Sequence, residues 1–434
     1  MNFSSSLSRN SKLLPFLLVL NIGSFHLGYI TVMYNKKDYP ESIKELGVED
    51  SCKANPACLF DSYVLLTSTL PIGAVFSLFL SMPILYYLGK RTLLIISDLL
   101  IILVVIIMQP FSYVITTLIG RFLLGCFCGI NLGLIYIFTA EIIYLFKYKE
   151  EFLCIQPIFI NLGYFFGLLG FSSKIDLYII LGLALVRLFL ISFCYKYESP
   201  LFLLHRKKNE KNLLETNLNS YLLNKRDNEE IFTLDEIKMR LHSMPTFYSK
   251  NFEIIDVVMK PYGKSLLLAF ILYLLYQTSG VQLFLYYSNQ IEGLMTLMIA
   301  ALMVVFSVIS LFVIRFSSSH RKILFAAGFF ISFMVFLMFL NAGGHSNAGV
   351  NILHVFMVFF SQFSIGTVIW VINAKLLPDI GIFLAGAGYW GMNFVMSLAI
   401  DFQHLDDLYY GRQNFFMVIC IVSIVLMAIL LFFL

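Results

Sequence analysis

Carboxamide side chains set inside otherwise apolar stretches are the residues of this sequence best suited to do chemistry. Tyr276-Gln277-Thr278-Ser279-Gly280-Val281-Gln282 runs into Leu283-Phe284-Leu285-Tyr286-Tyr287-Ser288, all within an apolar segment that opens near Leu266. Amides donate and accept hydrogen bonds without carrying charge, so their chemistry is recognition of a neutral polar ligand rather than bond breaking. An unsatisfied amide in hydrocarbon is costly. Gln277 and Gln282 must therefore face a polar partner or a water-filled cavity, and Gly280 lets the helix bend or unwind between them. Gln156, Gln362 and Asn393 add amides in other apolar stretches, and Trp370 and Trp390, the only two tryptophans, supply flat apolar faces. No nucleotide loop, metal-ligand cluster or nucleophile-base pair accompanies them, so the sequence reads as a binding protein, not an enzyme, and needs no cofactor.

The elements that must position these groups are membrane spans. With 59% hydrophobic and 13% charged residues in 434, an ordinary soluble domain is excluded and the lipid bilayer is the chain's partner. A net charge of +4 does not point to nucleic acid, because the basic residues cluster in loops between apolar spans. Windows of about 20 apolar residues give twelve spans. The first six lie near 13–33, 63–87, 92–109, 113–139, 152–171 and 176–196; the second six lie near 264–288, 293–314, 323–341, 351–377, 380–400 and 413–434. Arg9 and Lys12 precede a first span too long for a cleavable signal.

Lysine and arginine then fix the orientation. Arg9, Lys12, Lys90, Arg91, Lys147, Lys149, Lys196 and Arg206-Lys207-Lys208 recur in every second connection, as do Arg315, Arg321, Lys322 and Lys375 later. By the positive-inside rule both termini are cytoplasmic, in a multi-pass protein expected in the plasma membrane. The polar stretch 205–260, with Thr233-Leu234-Asp235-Glu236-Ile237 as a short capped helix, divides a bundle over 1–204 from one over 261–434. Cys52 and Cys58, in the loop after the first span, are either a disulfide or two free thiols. The other cysteines read as small packing residues.

Asp98 stands out as a carboxyl inside the third span. It lies about 10 Å from the Arg91 end, whereas Arg121 lies about 39 Å up the fourth span from Lys147, so the two sit at opposite ends. Arg187 in the sixth span is nearer in height. Snorkelling of Asp98 toward the inner surface is the expected arrangement.

The stretch from Gln277 to Ser288 resembles the seventh-helix signature of the sugar porters, the major facilitator branch that includes the facilitative glucose transporters. Similar to that family are also Gly23-Ser24 through Gly28-Tyr29, Gly89-Lys90-Arg91, Gly120-Arg121-Phe122 through Gly125 and Gly129, Ala140-Glu141, Glu198-Ser199-Pro200, Gly366 through Trp370, and Trp390 through Asn393. Both tryptophans fall on tryptophan positions of the family. The resemblance implies an all-α membrane protein, twelve transmembrane helices in two six-helix bundles with a cytoplasmic helical linker, working as a monomer by alternating access. It implies a small-molecule sugar held by Gln156, Gln277, Gln282, Tyr286, Gln362, Trp370, Trp390 and Asn393, with Asn161 a shifted alternative to Gln156. Arg91, Arg121, Glu141 and Glu198 would form the gating and salt-bridge set.

Departures from the family pattern carry expectations too. Ile30 stands where proton-coupled members carry an aspartate, which favours a facilitative uniporter for a hexose such as glucose. His26 or Asp98 as a substitute carboxyl or base keeps a proton-coupled sugar symporter as an alternative. Tyr276, Gln282, Met303 and Tyr389 depart from the glucose pattern and keep a polyol transporter open, and the eroded motifs keep a non-transporting sugar sensor open. Arg315 and Lys375 stand where acids belong, which predicts a looser inner gate, and the missing prolines of the tenth span predict altered gating.

Overall fold

The computed structural model describes residues 13–33, 56–109, 114–146, 150–169, 173–195, 198–199, 202, 262–279, 281, 285, 293–316, 355–356, 358–362, 366–402, 418–419, 421–426 and 428–429. The first half provides α1 (Leu13–Val32), α2 (Pro56–Leu88), α3 (Lys90–Met108), α4 (Val114–Phe146), α5 (Ile155–Gly167) and α6 (Ser173–Phe189). A 3-10 turn, Glu150–Cys154, leads into α5, and a π turn, Leu190–Cys194, extends α6. The second half provides α7 (Gly263–Gln277), α8 (Gly293–Phe316), α9 (Gly366–Leu376) and α10 (Asp379–Phe402). These four fall in the predicted seventh, eighth, tenth and eleventh spans. The ninth span, most of the twelfth, the 205–260 segment and the Cys52–Cys58 pairing lie outside the described residues.

Seven of these helices are long and apolar enough to cross a bilayer. At 1.5 Å per residue the 33-residue helices α2 and α4 reach about 50 Å, well beyond a hydrocarbon core of about 30 Å, so their ends project from it. α4 runs past the expected end near 139, which places Glu141 within the helix rather than after it.

Small residues let the helices approach. A methyl group added at Gly125 or Gly129 would strike the backbone of α2 at Leu70 or Ala74, and one added at Gly73 would strike the Phe122 carbonyl of α4. α1 and α5 meet in the same way, Gly28 against the Ile160 carbonyl and Gly163 against the Phe25 carbonyl. In lipid such backbone contact is the main source of helix association. Gly133 serves another purpose, lying under the ring of Phe383 on α10.

Two seams join the halves: α2 packs along α10, and α5 packs along α8. α7 also packs on α10 and α9. The expected seventh helix is interrupted after Gln277, and Val281 and Leu285 beyond the break are again helical. The Thr278 N–H bonds the Leu274 carbonyl and the Ser279 N–H bonds the Tyr276 carbonyl, so the α-helix ends just after Gln277. The Ser279 carbonyl freed by this break accepts a hydrogen bond from the Ser361 hydroxyl at 2.9 Å.

Candidate functional site

Neutral hydrogen-bonding groups line the α5–α8 seam at mid-height. Asn161 on α5 sits one and a half turns above Gln156, and its Nδ2 donates across the seam to Ser307 Oγ of α8 at 2.5 Å and to Gln362 Oε1 at 3.0 Å. Ser307 has one hydroxyl hydrogen, and it goes to the Met303 carbonyl at 2.7 Å; its oxygen is thus the acceptor for Asn161. Gln362, on a π-type turn before α9, reaches with Nε2 toward the Tyr276 hydroxyl at 3.4 Å, a long and weak contact. Asn161, Ser307 and Gln362 are all essentially inaccessible to solvent.

An aromatic wall stands beside this cluster on the second half. The Tyr276 and Tyr389 rings stack with centroids 6.2 Å apart, Tyr273 meets Tyr389 at 5.4 Å, and Trp390 meets it edge-on at 5.5 Å. Gln277 Nε2 donates to the Tyr389 carbonyl of α10 at 3.1 Å. Its Oε1 is buried and finds no partner among the described residues, as do Gln156 Oε1 and Trp390 Nε1. Such orphaned polar atoms in a native interior call for a water or ligand partner. Gln156 itself bonds within its own half, to the Leu132 carbonyl at 3.2 Å. Trp370 lies on α9 with its ring edge-on to Tyr136 of α4 at 5.3 Å, and the Tyr136 hydroxyl donates to the Trp370 carbonyl. Asn393 is buried on α10. Gln282 and Tyr286 lie outside the described residues.

Below the amides sits an ion cluster. Lys90, fully buried at the start of α3, pairs with Glu141 of α4 and with Asp379 Oδ2 of α10 at 2.8 Å. Glu141 also accepts from the Ser199 hydroxyl at 2.6 Å. Glu198 Oε1 accepts three backbone N–H groups, from Lys90, Arg91 and Ser199 at 3.0, 3.1 and 2.9 Å. Burial pushes the Glu198 carboxyl above its ordinary range, and these N–H donors and Lys90 pull it back. The turn depends on Gly89, whose φ of 80° and ψ of 162° are open only to glycine.

This cluster revises the expected gating set. The cation is Lys90, which the turn at Gly89 sets at the start of α3 so that its side chain enters the buried space between Glu141 of α4 and Asp379 of α10. Arg91 instead turns its guanidinium onto the Ile191 and Ser192 carbonyls at the end of α6, at 3.2 and 3.1 Å. Arg121 is buried near the opposite end of α4, about 30 Å from Glu141, and is no part of the cluster. The expectation of a looser inner gate took no account of Asp379, a second-half carboxylate that pairs with Lys90 of the first half. Sequence reasoning passed over Lys90, Asp379 and Ser307. The available signal was Pro378-Asp379, an acid opening an apolar span on the same face as the Gly-Lys-Arg turn.

Snorkelling of Asp98 is also overturned. Asp98 is fully buried, its two oxygens receiving Arg187 Nε at 2.9 and 3.0 Å, with Arg187 Nη2 at 2.5 Å from Oδ1. Arg187 Nη2 and Asn131 Nδ2 both donate to Ser97 Oγ, at 3.2 and 3.1 Å. The contact between α3 and α6 allows this, and the missing side chain at Gly23 leaves the slot the guanidinium occupies. A partner within reach is cheaper than dragging a carboxylate to the surface.

Two halves meeting along a neutral polar seam, closed beneath by a buried ion cluster, define a membrane carrier of the major facilitator fold. The chain matches the family model described as Sugar (and other) transporter over residues 16–433, and the protein belongs to that family. Among curated relatives, the facilitated glucose transporter member 3 of Ovis aries is 24% identical over 415 residues, covering 88% of this chain and 82% of that protein. The Homo sapiens protein of the same name is 24% identical over 414 residues, covering 88% and 81%. Of the solved structures, the proton:xylose symporter XylE bound to 6-bromo-6-deoxy-D-glucose superposes with a TM-score of 0.74 at 17% identity, over 96% of this chain and 95% of that one. The human organic anion transporter MFSD10 superposes with a TM-score of 0.61 at 14% identity, over 98% and 99%. At these identities the structural likeness is one of fold.

Proposed function

We propose that this sugar-transporter family member is a facilitative uniporter for a hexose such as glucose, working by alternating access. The observation that carries this is the composition of the seam. Asn161, Ser307, Gln362, Tyr276 and Gln277 offer donors and acceptors of hydrogen bonds, and none of them carries a charge. A polyhydroxylated neutral solute needs that balance, because each of its hydroxyls both donates and accepts, and the Tyr276, Tyr389 and Trp390 rings give its apolar face a platform. The glucose-transporter names of the curated relatives support the same substrate class. In this reading Gln156, Gln277, Gln282, Tyr286, Gln362, Trp370, Trp390 and Asn393 contact the sugar, and the Lys90 cluster with Glu141 and Glu198 latches the inner face.

Further parts of the proposal rest on the sequence. Bundles over 1–204 and 261–434, a cytoplasmic linker over 205–260, cytoplasmic termini, residence in the plasma membrane and action as a monomer belong to it. So does a role that involves no chemical change of the solute.

Uniport is supported by Ile30, a buried residue that cannot bind a proton on α1. A second reading, proton symport, is supported by the Asp98–Arg187 pair and by His26, whose Nε2 faces the Ile180 carbonyl at 3.1 Å. Uptake of radiolabelled D-glucose into proteoliposomes, with and without an inward proton gradient, separates the two. Uniport predicts equal initial rates and no sugar-driven internal acidification; gradient-stimulated uptake with acidification establishes symport instead.

A further inference from the structure

The hydrogen bonds of Asn161 differ from those of Gln156 and Gln277. Gln277 bonds a neighbour in its own half, and so does Gln156. Asn161 alone among these amides spends its donors on acceptors of the opposite half, Ser307 Oγ and Gln362 Oε1. It does so on α5, where that helix packs against α8. Both acceptors are buried side-chain oxygens, and the other side-chain contacts of Gln362, to Tyr276 at 3.4 Å and to Ser307 at 3.5 Å, are long. A solute hydroxyl that donates to these two oxygens along the directions Asn161 now uses takes the place of its amide.

We infer that Asn161 is a substrate-competing latch. In the empty, closed carrier its Nδ2 fills the position that a solute hydroxyl takes in the loaded carrier, so latch bonds and solute binding exclude one another. This rests on the proposed transport of a hydroxylated solute and deepens it by assigning the site a residue that acts on the empty form.

The consequence is kinetic. A carrier crosses the membrane loaded or empty, and the latch lowers the free energy of the closed form only on the empty crossing. Losing two hydrogen bonds there slows empty return relative to loaded crossing by about tenfold. Equilibrium exchange needs only loaded crossings, whereas net influx needs the empty return.

The test compares equilibrium exchange with zero-trans net influx of radiolabelled D-glucose in proteoliposomes containing wild type, Asn161→Ala or Ser307→Ala. The ratio of exchange to net influx rises about tenfold in Asn161→Ala and in the same direction, by less, in Ser307→Ala, which removes one acceptor from the other half. An unchanged or lowered ratio overturns the latch, since a residue that only holds solute or only supports the fold weakens loaded crossings at least as much.

A second measurement needs no transport. An Asn161→Cys/Ser307→Cys protein is oxidised in solute-free membranes and the 161–307 linkage is sought by mass spectrometry. The latch predicts a cross-link that D-glucose suppresses; no cross-link in the empty protein overturns it. If wild type moves no glucose, the hexose reading fails, whereas the lack of a cross-link in solute-free membranes overturns the latch whatever the solute.

Discussion

Replacing Lys90 with methionine is expected to destabilise the protein by about 3–5 kcal/mol, the largest single effect available at the inner face. Lys90 is the cation between Glu141 and Asp379, and both ion pairs are shielded from water. Methionine of similar length leaves two carboxylates buried with no counter-charge, and their mutual repulsion adds to the desolvation cost. Thermal unfolding of the detergent-solubilised protein reads the loss. Lys90→Arg keeps the charge and loses far less. Lys90→Met combined with Glu141→Gln and Asp379→Asn removes all three charges and recovers most of the stability, because the ion cluster as a whole contributes little beyond what a neutral replacement would. Because Lys90 and Asp379 belong to opposite halves, the single variant also opens the inner face. A cysteine placed near it then reacts faster with a membrane-impermeant reagent applied from that side. Unaltered melting of Lys90→Met would remove the cluster from the account.

Arg187→Met is expected to cost about 3–5 kcal/mol as well, through the first-half bundle alone. Arg187 holds both oxygens of Asp98 and lies over the Phe127 ring at 5.5 Å, so its loss strands a buried carboxylate and forfeits a cation–π contact. Asp98→Leu strands the guanidinium in turn. The double variant Asp98→Leu/Arg187→Met is expected to lose much less than the sum of the two, a coupling measured by a double-mutant cycle on unfolding. A Gly23→Ala substitution should resemble Arg187→Met in direction, since the added methyl occupies the guanidinium's slot. Additive losses would mean that Asp98 and Arg187 stabilise the bundle separately.

Much of the architecture was readable from residue pattern because lipid leaves few alternatives. Apolar runs of span length must be helices, because every backbone polar group in hydrocarbon has to be satisfied within its own segment. The same rule explains the errors. Asp98 was read as snorkelling because depth along one helix can be counted from sequence, while the neighbour that α6 presents to α3 cannot. Lys90 was passed over for Arg91 because the two are adjacent, and only the turn at Gly89 decides which enters the interior. The helix break after Gln277 was signalled by Gly280, but where the α-helix ends depends on Ser279 finding Ser361. Gln277, Gln362 and Asn393 are buried away from lipid, as amides in hydrocarbon must be, and Trp370 and Trp390 are buried with them. Ser307 carried no signal, since a serine in an apolar helix most often bonds its own backbone, and this one does that as well.

In the proposed transport a neutral hydroxylated solute passes through the amide-lined seam between the two halves. Stereoselective counterflow of D-glucose, with L-glucose as the control, in proteoliposomes of wild type and Gln277→Leu tests it most directly. Wild type is expected to show saturable counterflow of D-glucose but not L-glucose, reduced by about tenfold or more in Gln277→Leu, where a buried hydrogen-bonding group for the solute is lost. Equal movement of both enantiomers, or D-glucose counterflow untouched by Gln277→Leu, would contradict it.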